Sequence, residues 1–216
     1  QGFTARCAER IVVPSAYLQS VVERWGIPSE HITVIANAVS LPSRIPTRED
    51  VRRTLGLGGF ILVSVGRLVP WKGFEMLVEL MPKLAEVVPH AKLIIVGDGP
   101  EKKELELRIM NYELWNSVFL TGAIPKDEVV VYLRGADAFL LNTSYEGFSH
   151  QLIEALALGI PVITTNAGGN KEVVRDGENA LIAEYNNMES WKEKILELYQ
   201  NESLRQKFKV NNIDVE

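Results

Sequence analysis

Only one of the 216 residues is a cysteine, Cys7, so no disulfide can close within the chain. Nothing then argues for an oxidising compartment, and the cytoplasm is the expected setting. No apolar run approaches the roughly 18 residues that a membrane-spanning helix needs. The opening "QGFTARCAERIVV" lacks the charged-then-apolar layout of a secretory signal. It also starts without an initiator methionine and in mid-pattern, which leads us to expect a fragment of a longer protein; a processed terminus would look the same. A basic excess is missing too: 23 Lys and Arg stand against 28 Asp and Glu, a net charge of −5. Nucleic-acid binders normally carry a basic footprint, so no nucleic-acid partner is expected. Internal repeats are absent, and 16 Gly with 10 Pro do not make a low-complexity chain.

What is present is globular: 46% hydrophobic and 24% charged residues, enough for one substantial domain or a domain plus part of another. "RIVVPS" predicts a strand, "SAYLQSVVERWG" a helix capped by Ser15 and stopped by Gly26, and "HITVIAN" a second strand. "SLPSRIPTREDV" has the Pro42, Pro46 and mixed charge of a linker. We therefore divide the chain into residues 1–42, a first unit and connection; 43–59, a linker; and 60–216, the main domain.

From Phe60 onward, continuous apolar strands alternate with helical stretches. They run "FILVSVG", Phe74 to Val87, "KLIIVG", Glu101 to Leu114, "SVFLTG", Lys126 to Arg134, "AFLLNTS", His150 to Leu158 and "PVITT". A short helix near Lys171 to Arg175, "NALIA" and an amphipathic helix from Met188 to Tyr199 complete the series. Fully apolar strands separated by helices indicate an α/β fold with a doubly wound, Rossmann-like parallel sheet. Ligands are expected where loops leave the carboxyl ends of its strands.

Those loops hold the unusual residues. "VGRLVPWKG" sets Gly66, Arg67 and Lys72 beyond a strand; two cations there suit a phosphate or diphosphate, although plain surface cations would look the same. "VGDGPEKK" offers Gly97 and Gly99 before a helix start, a nucleotide edge or simply a strand-to-helix turn. In "SYEGFSHQLIEALALG", Gly147 frees the backbone, Ser149 can cap a helix, and Glu146 and Glu154 flank that helix start. Glu154 is conspicuous because it lies among Leu152, Ile153, Ala155 and Leu156, and a buried carboxylate needs a partner. An exposed loop acid plus a structural ion pair to Lys72 or Arg67 is the plainer account. "NAGGNKEVV" adds Gly168 and Gly169, a second anion cradle or a flexible turn.

Taken together, "VGRLVPWKG", "IIVGDGP", "EGFSHQLIEALALGIPVITTNAGGNKEVV" and "DGENALI" resemble the carboxyl-terminal half of retaining GT-B glycosyltransferases of glycosyltransferase family 4, group 1. The resemblance covers nearly the whole chain. It implies a nucleotide-diphospho-sugar donor, with Arg67 and Lys72 binding the diphosphate and stabilising its leaving charge. Glu146 would face and orient the donor sugar, and Glu154 would accept hydrogen bonds from the ribose. Phe148, Ser149 and His150 would present backbone amides to sugar or phosphates, with Gly66, Gly97, Gly99 and Gly147 lining the donor site. The cations and helix amides would do what a metal does elsewhere; no Asp-x-Asp pair is present, so neither a metal nor another cofactor is expected.

The same resemblance makes residues 1–42 the end of an amino-terminal acceptor domain with the interdomain connection. The acceptor, a sugar, glycan or lipid-linked glycan, would then meet the missing domain, which also allows peripheral association with the inner face of a membrane. Transfer is expected only from the longer protein. A nucleotide-sugar-binding module without transfer activity, or an epimerase of similar architecture, are the alternatives. Two departures stand out: "ANAVS" replaces the usual Pro-Asn-Gly-Val-Asp at the hinge, and the family's final returning helix is cut short after "KVNNIDVE".

Overall fold

The computed structural model describes Ala5 and residues 7–210. Several of its helices begin where short polar side chains accept from free first-turn amides. In α1, Ala16–Glu23, the Ser15 hydroxyl accepts from the Leu18 amide; in α2, Arg48–Leu55, Thr47 accepts from Asp50. The remaining helices are α3 (Phe74–Ala85), α4 (Lys102–Asn111), α5 (Lys126–Gly135), α6 (His150–Ala157), α7 (Met188–Gln200) and α8 (Glu202–Val210).

Two parallel sheets form. The smaller pairs β1 (Ile11–Val13) with β2 (Ile32–Val34), and α1 packs on both. The larger contains β3 (Ile61–Val65), β4 (Lys92–Val96), β5 (Val118–Gly122), β6 (Ala138–Leu141), β7 (Val162–Thr164) and β8 (Leu181–Ile182), in the order β5-β4-β3-β6-β7-β8. Every residue of β3 is buried because both faces are covered, which is why its sequence runs apolar without alternation. Its one polar member, Ser64, donates its hydroxyl to Leu140 O at 2.7 Å.

On one face Leu62, Leu93 and Ile95 meet Phe74 and Leu77 of α3, Leu105 of α4 and Trp191 of α7. On the other, Ile61, Val63, Ile94 and Phe139 meet Leu133 of α5 and Leu152 and Leu156 of α6. Each such fully buried side chain contributes about 1.5–3 kcal/mol before entropy is counted, so the sheet is a rigid platform. The chain runs outward from β3 to β5, then returns to β6 on β3's other side. The reversal leaves a crevice between the carboxyl ends of β3 and β6, where the two series of connecting loops part.

Three local expectations need correcting. Half of the stretch read as a linker is α2, with Val51 buried and Arg48 and Arg52 both paired to Asp137, so it is docked on the main domain through α5. The short helix placed near Lys171 to Arg175 is a 3-10 turn at Gly168–Glu172, because Gly168 has φ 51° and the turn is pressed against another loop. A further helix, α8, follows Asn201, anchored by the buried Phe208. The expected truncation after "KVNNIDVE" lies outside the described residues. Among the described residues, no helix is long and apolar enough to cross a membrane.

Candidate functional site

At the crevice, β3 runs into Gly66 and Arg67, then into the 3-10 turn Pro70–Lys72. A Cβ on Gly66 would lie 3.9 Å from Lys72 Cδ and Cε, so the lysine stem lies back along the end of β3. β6 runs into Asn142–Ser149, and the two loops are stapled together. Asn142, fully buried, donates to Gly73 O at 2.9 Å and to Asn186 Oδ1 at 2.8 Å. Thr143 donates its hydroxyl to Trp71 O at 3.1 Å, and the Ser144 amide donates to the same carbonyl at 2.9 Å. These bonds set the height of Lys72 relative to Glu146.

The two charges meet: Lys72 Nζ donates to Glu146 Oε2 at 2.5 Å, with the side chains 11% and 15% exposed. Arg67 is exposed, and among the described residues nothing hydrogen-bonds or ion-pairs with its guanidinium. A shielded lysine already balanced by a carboxylate and an unpaired arginine beside it leave net positive charge at the strand end.

The loop bearing Glu146 is held by its carbonyls. Gly169 donates its amide to Glu146 O at 2.9 Å, the Ser15 hydroxyl to Gly147 O at 2.7 Å, and Asn37 to Phe148 O at 3.2 Å. Close approach by Gly168 and Gly169 is obligatory, since added Cβ atoms would come within 1.9 Å of Glu146 O and 2.0 Å of Gly147 O. That pair therefore buttresses the loop, which decides between a flexible turn and a cradle in favour of neither. With the carbonyls engaged, the N–H groups of Gly147, Phe148, His150 and Gln151 meet no acceptor among the described residues. The Ser149 hydroxyl caps α6 by accepting from Leu152. Free first-turn amides at a helix start favour an anion.

Glu154, one turn further along α6, is 5% exposed. Its partner is neither Lys72 nor Arg67 but Lys126, whose Nζ lies 3.2 Å from Oε1. Val65, Ile124, Lys126, Val129, His150 and Glu154 line a cavity of about 440 Å³ beside the crevice. Gly97 and Gly99 stand on the same edge, and their lack of side chains is required by the protein's own backbone. A Cβ on Gly97, at φ 143°, would meet Gly66 O at 1.9 Å, and one on Gly99 would meet Leu68 O at 2.4 Å.

The structure pairs Lys72 with Glu146 and sets Arg67 just beyond β3. Sequence reasoning missed Asn142, Thr143 and Lys126. A polar "NT" ending an apolar strand was an available signal for the first two; Lys126 carried none.

The chain is 30% identical over 156 residues to the 2-deoxystreptamine N-acetyl-D-glucosaminyltransferase of Niallia circulans, covering 72% of this chain and 40% of that protein. Sucrose-phosphate synthase from Thermosynechococcus elongatus superposes with a TM-score of 0.85 at 24% identity, over 97% of this chain and 54% of that one. Anabaena HepE in complex with UDP-glucose gives 0.84 at 23%, over 97% and 58%. These likenesses establish the fold as that of GT-B glycosyltransferases. The chain spans about 40% of the length of the curated relatives it matches. Residues 47–215 match the family described as Glycosyl transferases group 1, and on that span the chain belongs to this family.

Proposed function

We propose that this chain is the donor-binding half of a retaining glycosyltransferase that takes a nucleotide-diphospho-sugar and passes a hexosyl group to a sugar, glycan or lipid-linked acceptor held by another domain. One observation carries it: Arg67, the Lys72–Glu146 pair and the free amides before α6 converge on the switch-point crevice, with Glu154 beside it.

As the anomeric carbon–oxygen bond breaks, its electron pair leaves on the terminal phosphate oxygen. Lys72 and the amides of Gly147, Phe148 and His150 are positioned donors for that growing charge, with Arg67 beside them, and such preorganisation is worth several kcal/mol. Arg67 and Lys72 take this load in place of a metal ion. Glu146, already bonded to Lys72, keeps one oxygen for a sugar hydroxyl and orients the donor. It has no covalent role here. Glu154 accepts from the ribose, and Gly66, Gly97 and Gly99, whose backbones pack closely at the strand ends, line the donor site. Retention of configuration and a hexosyl group rest on the family resemblance, and a cytoplasmic setting on the single cysteine.

The test is calorimetry of the chain with UDP, GDP and ADP, beginning with UDP because Anabaena HepE was solved with it. At a hundredfold excess over Kd the bound form gains about 2.7 kcal/mol of stability. Binding that is weakened by Glu154→Gln and by Arg67→Ala is expected. No heat and no melting shift with any of the three removes the reading. The isolated chain is expected to transfer no sugar, because an acceptor held by nothing gains no effective molarity.

A further inference from the structure

We infer that Lys126 is a built-in counter-ion for Glu154 that a nucleotide's ribose must displace, so that this lysine sets the site's preference for ribose and its donor affinity. The inference rests on the assignment of Glu154 to the ribose and adds what controls access to it.

The asymmetry of the pair carries the argument. Glu154 is on α6 with its side chain 6% exposed, whereas Lys126 opens α5 and is 63% exposed. The anion thus lies in the cavity floor and the cation at its rim, and both line the same cavity with Val65, Ile124, Val129 and His150. Among the described residues no other side chain reaches that carboxylate. A buried carboxylate with no partner is costly, so the lysine stabilises the fold at this point. Its hold is weak, because a largely exposed ammonium is solvated, mobile and screened by salt.

Vicinal ribose hydroxyls present two donors side by side and would use both carboxylate oxygens. The lysine occupies Oε1. When the hydroxyls take that oxygen, Lys126 can swing into water at little cost, since most of its surface is already there. The exchange leaves Glu154 satisfied in both states and never unpaired. It also means that part of the ribose's interaction energy goes into displacing the lysine. Removing the ammonium should therefore tighten binding of ribonucleotides and leave analogues without the hydroxyls unchanged. A purely structural ion pair has no such selectivity, and a lysine that contacts the nucleotide would show the opposite sign.

The experiment titrates the 216-residue chain with UDP, GDP and ADP and with their 2′,3′-dideoxy forms, for the wild type, Lys126→Met and Lys126→Arg. Lys126→Met should raise ribonucleotide affinity by about two- to fivefold, the range of a partly exposed ion pair, while dideoxynucleotide affinity stays unchanged. Lys126→Arg keeps the charge and should show no gain. Melting without nucleotide should fall in Lys126→Met only. Weaker ribonucleotide binding in Lys126→Met, or an equal gain for the dideoxy forms, overturns the inference while the donor site stands. Equal wild-type affinity for ribo and dideoxy forms removes Glu154 from the ribose, and no binding at all removes the donor site itself.

Discussion

Removing the two charges of the Lys72–Glu146 pair one at a time separates what the pair does for folding from what each charge does for a ligand. In Lys72→Met, the Glu146 carboxylate stays 15% exposed with its 2.5 Å partner gone. Breaking a buried pair on one side costs about 3–5 kcal/mol. Because Glu146 borders an open crevice and regains some water, about 2–3 kcal/mol is the better expectation. Glu146→Gln leaves Lys72 an amide oxygen to donate to, so its cost should be about 1–2 kcal/mol. The double variant leaves no charge stranded and should be less destabilised than the sum of the single variants by about 1–2 kcal/mol. Urea unfolding followed by circular dichroism, with unchanged slope, measures all three. Nucleotide affinity should separate the two more sharply: Lys72→Met loses about tenfold or more for a nucleoside diphosphate, while Glu146→Gln, which frees the lysine, loses nothing. If the single costs add within about 0.3–0.5 kcal/mol, the two charges are not coupled. If Glu146→Gln weakens diphosphate binding as much as Lys72→Met does, the division between sugar-facing acid and phosphate-facing cation is wrong.

Two further outcomes follow from the surroundings of the site. Gly168→Ala places a Cβ within 1.9 Å of Glu146 O at φ 51°, so a loss of about 2 kcal/mol or more is expected, with nucleotide affinity falling in parallel; unchanged urea midpoints would show that the turn can move away. Glu101 has its carboxyl raised above the ordinary glutamate range, by burial first and by Glu75 next, and its Oε2 is buried with no partner. A raised carboxyl favours the fold when protonated, a benefit present at low pH and lost as pH rises through the shifted value. Glu101→Gln should therefore stabilise the chain near neutral pH, and urea titrations below about pH 4 should find the gain gone.

Much of this was legible along the chain. Runs such as "FILVSVG" and "KLIIVG" state a doubly covered parallel strand by themselves, because burial on both faces removes alternation. Helix starts at Ser15 and Ser149 follow from side chains that reach amides three residues on. Strand-end positions put Arg67, Lys72, Glu146 and Glu154 near one crevice because topology alone decides which ends of a parallel sheet face together. Local chemistry also explains one failure: "SLPSRIPTREDV" is polar and proline-marked, yet Thr47 caps a helix within it, and Asp137, far along the chain, supplies the charge that docks Arg48 and Arg52.

Pairings between distant residues belonged to the tertiary structure. Glycines at 97, 99, 168 and 169 look alike in sequence, and only the packed fold shows which carbonyl each must admit. Glu154 announced that it needed a partner, but its identity depended on how α5 and α6 lie on the sheet, which brings Lys126 rather than Lys72 within 3.2 Å. Lys72 was then left for Glu146, 74 residues away, held at that distance by Asn142 and Thr143. Sequence determines which groups must be satisfied, since burial follows from the pattern of apolar residues. Which group satisfies which is settled by geometry, because ion pairs and hydrogen bonds act over a few ångströms and chain separation says nothing about such distances.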